Sequence, residues 1–135
     1  MILYTPQGNK IEKAVSKYLI KWNKKTRSKF QDSVKFFLYP FWKNHIVYEE
    51  FPVAGTRMTI DLLNLTYKVA IEIQGEQHRT PNKHFHKGNK MNFYAQIERD
   101  MEKKKYCEAN GWTMVEIYPE DLPLTKEFLQ EQGVI

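Results

Sequence analysis

Four side chains that bind metal ions or transfer protons lie in the stretch MTIDLLNLTYKVAIEIQGEQH, residues 58–78, which is otherwise apolar enough to form core. They are Asp61, Glu72, Gln74 and His78. Two carboxylates on adjacent strands repel each other when they face the same way, and burying one unpaired charge costs several kcal/mol. A hard divalent cation such as Mg²⁺ offsets that cost, because it prefers oxygen ligands and shares them with water and phosphate. The stretch therefore indicates a metal site that could act on a phosphate.

A purely structural role explains the same residues. Asp61 and Glu72 could be charges at the edge of a sheet, paired with Lys68, Arg57 or a basic helix. A histidine in a polar loop, such as His78, is more often solvated than catalytic, although a histidine close to a metal-bound phosphate can transfer a proton. Strand alternation alone does not separate the two interpretations.

The spacing of apolar residues in the first third of the chain predicts two helices. Residues 5–23 have apolar side chains at helical spacing, and Thr5 with Pro6 suits the start of a helix. The apolar stripe consists of Ile11, Val15, Tyr18 and Trp22. Residues 30–42, FQDSVKFFLYPFW, predict a second helix or helical turn that ends at Pro40.

Alternating hydrophobicity predicts four strands in the rest of the chain, two of them joined by a connection short enough for a hairpin. The predicted strands are residues 45–53, 57–64, 68–74 and 112–119. A long helix over residues 90–110, closed by Gly111, leads to the last strand, so a right-handed crossover is expected. A short helix follows over residues 121–132. The chain thus predicts one α/β domain over residues 1–135, a mixed sheet flanked by helices.

Composition limits the classes of function. A chain of 135 residues suits one domain, and its net charge of +5 with a pI near 9.2 favours an anionic partner. On charge alone, nucleic acid and a merely basic surface are equally good explanations. The single cysteine, Cys107, excludes an internal disulfide and a cysteine-built zinc site. No apolar run is long enough for a membrane span and no signal peptide is evident, so we expect a cytoplasmic protein.

The segments IEKAVSKYL, TIDLLN, VAIEIQGEQH and ERDMEKKKYCEANGWTMVEIYPEDL, in that order, resemble the restriction-endonuclease-like fold of the PD-(D/E)XK superfamily. More narrowly, the chain is similar to the very-short-patch repair endonuclease branch, which includes phage-borne homing endonucleases with an EDxHD set of active residues. The resemblance covers most of the chain apart from residues 24–45. No single motif is specific, and the ordered combination at matching spacing carries it.

The resemblance implies a set of active-site residues. They are Glu12, Asp61, Glu72, Gln74, His78 and Asp100. Asp61 and Glu72 would bind the metal ion together with the carbonyl oxygen of Ile73, and His78 would handle the proton. Gln74 stands where the superfamily usually has a lysine, and a neutral amide cannot neutralise charge. His78 or a lysine on a neighbouring helix would then have to supply that positive charge.

Basic side chains are expected to grip the DNA backbone. They are Arg57, Arg79, Lys83, His84, His86, Lys87, Lys90, Lys103 and Lys104. Ordinary roles compete with several of these assignments. Asp100 could form an ion pair with Lys103 or Lys104, and Glu12 could be a solvated helix charge. Glu49 and Glu50 precede the apolar segment FPV, and either could approach Asp61, so their roles stay open.

The leading interpretation is a DNA endonuclease that requires Mg²⁺, with Mn²⁺ as a substitute and no zinc, acting on double-stranded DNA as a monomer or homodimer. The missing zinc cysteines and the small size favour a phage or mobile-element homing or nicking enzyme in the host cytoplasm over a mismatch-repair enzyme. A structure-selective nuclease for junctions or mismatches is one alternative. The other is a module with a nuclease fold that binds nucleic acid without cutting it, which Gln74 in the lysine position would permit.

Overall fold

Strands rich in β-branched and aromatic residues build the centre of the molecule. The computed structural model describes residues 1–75 and 90–135, and only the backbone of residues 90–93. In chain order the strands are β1 (Ile2–Tyr4), β2 (Lys10–Glu12), β3 (Val47–Pro52), β4 (Thr59–Asn64), β5 (Val69–Ile73) and β6 (Thr113–Ile117). The helices are α1 (Lys29–Trp42), α2 (Lys90–Ala109) and α3 (Lys126–Glu131), with 3-10 turns at Ser16–Tyr18 and Pro119–Asp121.

The central sheet has the strand order β3-β4-β5-β6, and β1 pairs with β2 in a separate hairpin. Strand β4 runs antiparallel to both β3 and β5, whereas β6 runs parallel to β5. A parallel pair needs a long connection, and α2 lies within it. The prediction of a mixed sheet with flanking helices is confirmed: the described residues form one mixed α/β domain with a four-stranded sheet, a hairpin and three helices.

Apolar side chains cover both faces of the sheet. On one face, Leu3 of the hairpin, Tyr106 and Cys107 of α2 and residues of the sheet form a first core. On the other face, Leu38 of α1 and Leu129 of α3 pack with sheet residues in a second core. Because neither face is open to water, strand β5 is buried from its first residue through its fourth. Any charged side chain on β5 therefore enters the protein interior.

The predicted first helix over residues 5–23 is wrong. The turn that follows β1, and then strand β2, occupy its beginning, and Gly8, with φ of +86°, lies in that turn. The backbone carbonyl of Thr5 accepts a hydrogen bond from the N–H of Gly8 at 2.8 Å and closes that turn. The apolar spacing has another cause, because Ile11 packs on the first core and Trp22 on the second. Side chains whose spacing fits one helical face therefore pack in two different cores.

Helix α1 confirms the second predicted helix but does not end at Pro40. The side chain of Ser28 caps its start, and the helix continues through Pro40 to Trp42. Proline removes one backbone donor from a helix. Trp42 is fully buried, and its indole N–H donates to the carbonyl of Val134 at 3.0 Å. We infer that this anchoring of the last turn outweighs the loss of one helical hydrogen bond.

Helix α2 agrees with the helix predicted over residues 90–110. It ends at Ala109, and Gly111 adopts a φ of +76°, the left-handed conformation typical of a helix C-terminus. Tyr106 and Cys107 are buried in the first core, while most of the helix surface is polar. Within residues 1–75 and 90–135, no helix is both long and apolar enough to cross a membrane.

Candidate active site

One acidic residue from each strand of the central sheet contributes to a row across it. The register pairs Glu72 of β5 with Glu116 of β6. The pair Leu62–Ile71 places Asp61 opposite Glu72, and the pairs on either side of Glu50 place that residue opposite Asp61. We call Glu50, Asp61, Glu72 and Glu116 the acid row. Adjacent like charges destabilise a sheet, so a row of this kind needs protons or cations to be stable.

Asp61 lies where strands β4 and β5 separate. Their backbone pairing ends at Leu62–Ile71, and the next backbone N–H available on β5, that of Ile73, donates to Oδ2 of Asp61 at 2.7 Å. Burial raises the pKa of the Asp61 carboxyl group, and the charge of Glu50 raises it further. The Ile73 N–H and a hydrogen bond with Glu72 oppose that rise. At the point where the two strands separate, the carboxylate of Asp61 thus accepts the hydrogen bond that a backbone carbonyl would accept in a continuous ladder.

Glu72 is a buried acid, with 5% of its surface exposed. Burial is the main cause that raises its pKa to about 8, and the charge of Asp61 adds to the rise. Nζ of Lys103, on α2, lies 3.2 Å from Oε1 of Glu72. This contact is an ion pair by distance but lacks hydrogen-bond geometry, and Oε1 has no hydrogen-bond partner among the described residues. Burial and their mutual repulsion therefore favour the protonated form of this acid pair.

Glu50 approaches this pair from β3 with an unusual backbone. Its φ of +49° lies in the left-handed region, which costs a residue with a side chain about 1 kcal/mol or more. Its carboxylate accepts hydrogen bonds from Nε2 of Gln31 at 3.2 Å and from the hydroxyl of Thr59 at 3.0 Å. Two side chains from different elements therefore hold Glu50 close enough to Asp61 to influence its pKa.

Asp100 and Glu116 form the other end of the site. Asp100 lies on α2 and accepts a hydrogen bond from the side chain of Gln96 at 3.0 Å. Burial is the main cause that raises the pKa of Asp100, and the charge of Glu116 raises it as well. The hydroxyl of Tyr118 donates to the carboxylate of Glu116. Lys103 stabilises the charged forms of both Asp100 and Glu72, so it lies between the two acids.

The structure brings together several of the predicted active-site residues and separates one of them. Asp61, Glu72 and the backbone of Ile73 are in direct contact, and Asp100 reaches the same region through Lys103. Glu12, expected on a first helix, is an exposed residue of β2 that pairs with Ile2. Among the described residues, no hydrogen bond or ion pair joins Glu12 to the acid row. Its predicted place on a helix is wrong, because the segment is a hairpin strand.

Gln74 follows β5 directly, and its backbone N–H donates to the carbonyl of Ile117 at 2.9 Å, which extends the pairing with β6. Lys103, which the sequence suggested only as one of several possible helix lysines, is the cation in contact with Glu72. Arg57 and Lys104 are exposed. The remaining predicted residues lie outside the described part of the chain, or their side chains do. They are His78, Arg79, Lys83, His84, His86, Lys87 and the side chain of Lys90.

From the sequence, Glu49 and Glu50 were two acids, either of which could approach Asp61, and the pattern did not distinguish between them. In the structure, Glu49 pairs with Lys35 at 2.7 Å on α1. The left-handed backbone of Glu50 and its hydrogen bonds from Gln31 and Thr59 direct the second carboxylate towards Asp61. The available signal was weak: a polar pair, Glu49 and Glu50, in the middle of a strand whose neighbours are buried.

The residues fit a hard divalent cation in their chemistry. In residues 1–75 and 90–135, no group of three or more His, Cys, Asp or Glu side chains is arranged to hold a metal ion. Mg²⁺, however, is commonly bound by one or two carboxylates, with water and phosphate as its other ligands. Asp61 and Glu72 provide two adjacent carboxylates, and no donor in residues 1–75 or 90–135 makes a hydrogen bond to the buried Oε1 of Glu72. A cation would replace the proton that this pair otherwise holds.

The chain is similar to two iridovirus proteins. It is 33% identical over 81 residues to "Uncharacterized protein 033L" of Invertebrate iridescent virus 3, a match that spans 60% of this chain and 41% of that protein. It is 35% identical over 66 residues to "Uncharacterized protein 094L" of Frog virus 3, across 49% of this chain and 43% of that protein. The chain thus spans about two fifths of the length of these curated relatives. No protein-family model and no solved structure matches it.

Proposed function

We propose that the protein is a metal-dependent endonuclease that hydrolyses phosphodiester bonds of double-stranded DNA, with a restriction-endonuclease-like fold. The observation that carries the proposal is the adjacent pair of half-buried Asp61 and buried Glu72 on neighbouring strands, with Lys103 as its counter-charge. Apolar residues at these two positions would make the protein more stable than two carboxylates in contact do. The carboxylates therefore favour a functional role over a structural one. The arrangement of three antiparallel strands and one parallel strand is compatible with that fold.

In this proposal, Asp61, Glu72 and the carbonyl of Ile73 hold the metal ion. When bound, Mg²⁺ would polarise the scissile phosphate and lower the pKa of a water molecule. The Ile73 N–H fixes the Asp61 carboxylate in one orientation through its 2.7 Å hydrogen bond. Lys103 provides a positive charge beside Glu72. In the reaction, this positive charge would stabilise the negative charge that develops on the phosphate oxygens. Lys103 would thereby supply the charge that Gln74, in the usual lysine position, cannot.

Lysines and arginines around the site would grip the DNA backbone on both sides of the reacting phosphate. Arg57 and Lys104 are exposed, so their side chains are accessible to the DNA backbone. His78 is our candidate for proton transfer, on the sequence resemblance alone. Within this class we favour a viral or mobile-element homing or nicking enzyme, and the viral origin of the two relatives supports that choice.

A module that binds DNA without cutting it is the second candidate, and Gln74 is the observation that favours it. The two candidates share the DNA-binding surface and differ only in the chemistry at the acid pair. A binding module would need no metal, and the Asp61–Glu72 pair would then be a protonated structural contact.

Nicking of supercoiled plasmid separates these candidates. We expect relaxation of the circle with Mg²⁺ or Mn²⁺, none with EDTA, and none for Glu72→Gln with either metal. Glu131→Gln is the matched control, because Glu131 is an exposed acid on α3. Retained DNA binding without any nicking under all metal conditions would establish the binding module and overturn the nuclease. Nicking by Glu72→Gln at the wild-type rate would place the chemistry elsewhere.

A further inference from the structure

A wide groove lies along helix α1, on the face of the sheet that carries the second core. Its volume is about 1540 Å³, larger than the roughly 300–1,000 Å³ of pockets for small molecules. Aromatic and apolar side chains line it, among them Trp22, Phe36, Tyr39 and Leu122. Phe36 is 85% exposed, an unusual state for a phenylalanine on a helix with a well-formed buried side. The volume of the groove exceeds that of a typical metabolite pocket and suits a segment of a polymer.

The walls of the groove are held in place by internal contacts. Nζ of Lys35 is almost fully buried and donates to the carbonyls of Lys21 and Lys24, each at 3.0 Å, and to Glu49 at 2.7 Å. These bonds attach the segment over residues 20–25 to helix α1. The rings of Trp22 and Tyr39 meet edge to face, 5.5 Å apart, and join the two walls. The aromatic surface is therefore preorganised.

The rim of the groove is positively charged. Lys21, Lys24 and Lys25 line it and are exposed. The acid in the lining, Asp32, accepts hydrogen bonds from the backbone N–H and the hydroxyl of Thr26, at 2.8 and 2.9 Å. Those bonds direct its carboxylate to the groove's own wall. The surface presented to an occupant combines aromatic rings with exposed lysine side chains.

We propose that this groove binds single-stranded nucleic acid, with bases stacked on Phe36 and its neighbouring rings and phosphates paired with the lysine rim. Aromatic rings beside a rim of lysines match the two parts of a single strand, its flat bases and its charged backbone. Duplex DNA hides its bases and would leave the rings unused. A second copy of this chain, docked by the same surface, would place lysine rim against lysine rim and be repelled.

This inference goes beyond the proposed catalysis and does not depend on it. Glu72 faces α2 and its Lys103, whereas the groove is built on α1, so the two surfaces lie on different faces of the sheet. Binding in the groove would hold a strand separated from its complement while the acid row acts on the duplex part. A variant without nuclease activity, such as Asp61→Asn, should bind single strands as the wild type does.

The intrinsic fluorescence of tryptophan reports on the groove directly. Of the three tryptophans, Trp42 and Trp112 are buried, and Trp22 lies in the groove lining. We expect an oligo(dT) strand of about twelve nucleotides to quench the fluorescence of Trp22. Phe36→Ala should weaken binding on the order of tenfold, the scale of losing one base–aromatic stack, and Lys25→Ala should weaken it and lower its salt dependence.

Two variants serve as matched controls. Tyr67→Ala removes an exposed aromatic ring outside the groove lining, and Lys105→Ala removes an exposed lysine on α2. Both should bind the strand as the wild type does. If the control variants lose as much affinity as Phe36→Ala and Lys25→Ala do, binding is not confined to the groove, and the proposal is overturned. Binding that Phe36→Ala leaves unchanged would also overturn it, as would a dimer in sedimentation experiments that Phe36→Ala converts to monomer. If plasmid nicking fails while oligo(dT) binding responds to Phe36→Ala, the groove stands and the nuclease does not.

Discussion

The carboxylate of Asp61 accepts the backbone N–H of Ile73 at 2.7 Å, at the position where strands β4 and β5 stop pairing through their backbones. One residue therefore has two tasks. It satisfies a buried donor of the neighbouring strand, and it contributes charge to the acid row. Substitutions at Asp61 can separate the two tasks, because an amide oxygen can accept the same hydrogen bond without a charge.

Asp61→Asn should abolish plasmid nicking while DNA binding persists. The asparagine oxygen can still accept from Ile73, and repulsion with Glu72 is relieved, so thermal stability without metal should hold or rise. Asp61→Ala removes the acceptor as well, and we expect it to be less stable than Asp61→Asn by about 1–3 kcal/mol. Nicking assays and thermal melts on the same preparations test both points. If Asp61→Asn unfolds the protein and the soluble remainder still cuts, Asp61 is structural.

Stability without metal should fall as pH rises. The pKa of Glu72 is about 8 in the folded protein against an ordinary 4.5, so between these values the folded state binds a proton that the unfolded state has released. The free energy of unfolding then decreases with pH, by at most about 1.4 kcal/mol per unit, and levels off above pH 8. The raised pKa of Asp61 acts in the same direction. Urea denaturation across this range should show the decline, and Glu72→Gln should reduce it.

Divalent cations should counteract the loss of stability at high pH. Mg²⁺ competes with the proton at Glu72, so its stabilising effect should be larger at pH 8 than at pH 5.5. Melting temperatures with Mg²⁺ and with EDTA at the two pH values measure the difference. An equal effect of Mg²⁺ on Glu72→Gln and on wild type would exclude Glu72 as a ligand.

Lys103→Met should lower the nicking rate on the order of a hundredfold, because it removes the positive charge beside Glu72 and keeps the length of the side chain. Lys103→Arg should recover part of the activity. Lys104→Met is the matched control: Lys104 is exposed, and its loss should weaken DNA binding without changing the maximal rate. Separate measurements of kcat and KM distinguish the two effects, and a change confined to KM in Lys103→Met would make Lys103 a DNA-binding residue.

Lys35→Met should destabilise the protein by about 3–5 kcal/mol, since it leaves the carboxylate of Glu49 unpaired in a partly buried place. The double variant Lys35→Met with Glu49→Leu should recover much of that loss, because no charge is then left without a partner. Chemical denaturation of both variants gives the comparison. A double variant no more stable than the single one would show that the bonds from Lys35 to Lys21 and Lys24 matter more than the ion pair.

Much of the fold could be predicted from local pattern. The four strands of the sheet were predicted because apolar and polar residues alternate along most of their length, and helix α2 because Gly111 marks its end. The amino-terminal segment failed, since Ile11 and Trp22 fit a helical period yet pack on different cores. Local spacing cannot show which core a side chain reaches. Here the turn residues Gly8 and Thr5 carried more information than the apolar stripe.

The site was predictable to a lesser degree. Asp61 and Glu72 could be found because a carboxylate among apolar strand residues demands a partner. Lys103 could not be singled out among the lysines of α2, because only the packing of the helix on the sheet brings its Nζ to Glu72. Glu50 depends on a left-handed backbone that its sequence does not favour. His78 stays a prediction from sequence.

The order of elements along the chain also bears on the kinetics of folding. Glu50, Asp61 and Glu72 lie on three consecutive antiparallel strands, whereas Lys103 belongs to the crossover that leads to the parallel strand β6. Local hairpins close sooner than a parallel crossover, because less chain entropy is lost. The acids should therefore meet before their counter-charge arrives. We expect refolding to accelerate when the acids are protonated or when Mg²⁺ is added, with a smaller change in the unfolding rate.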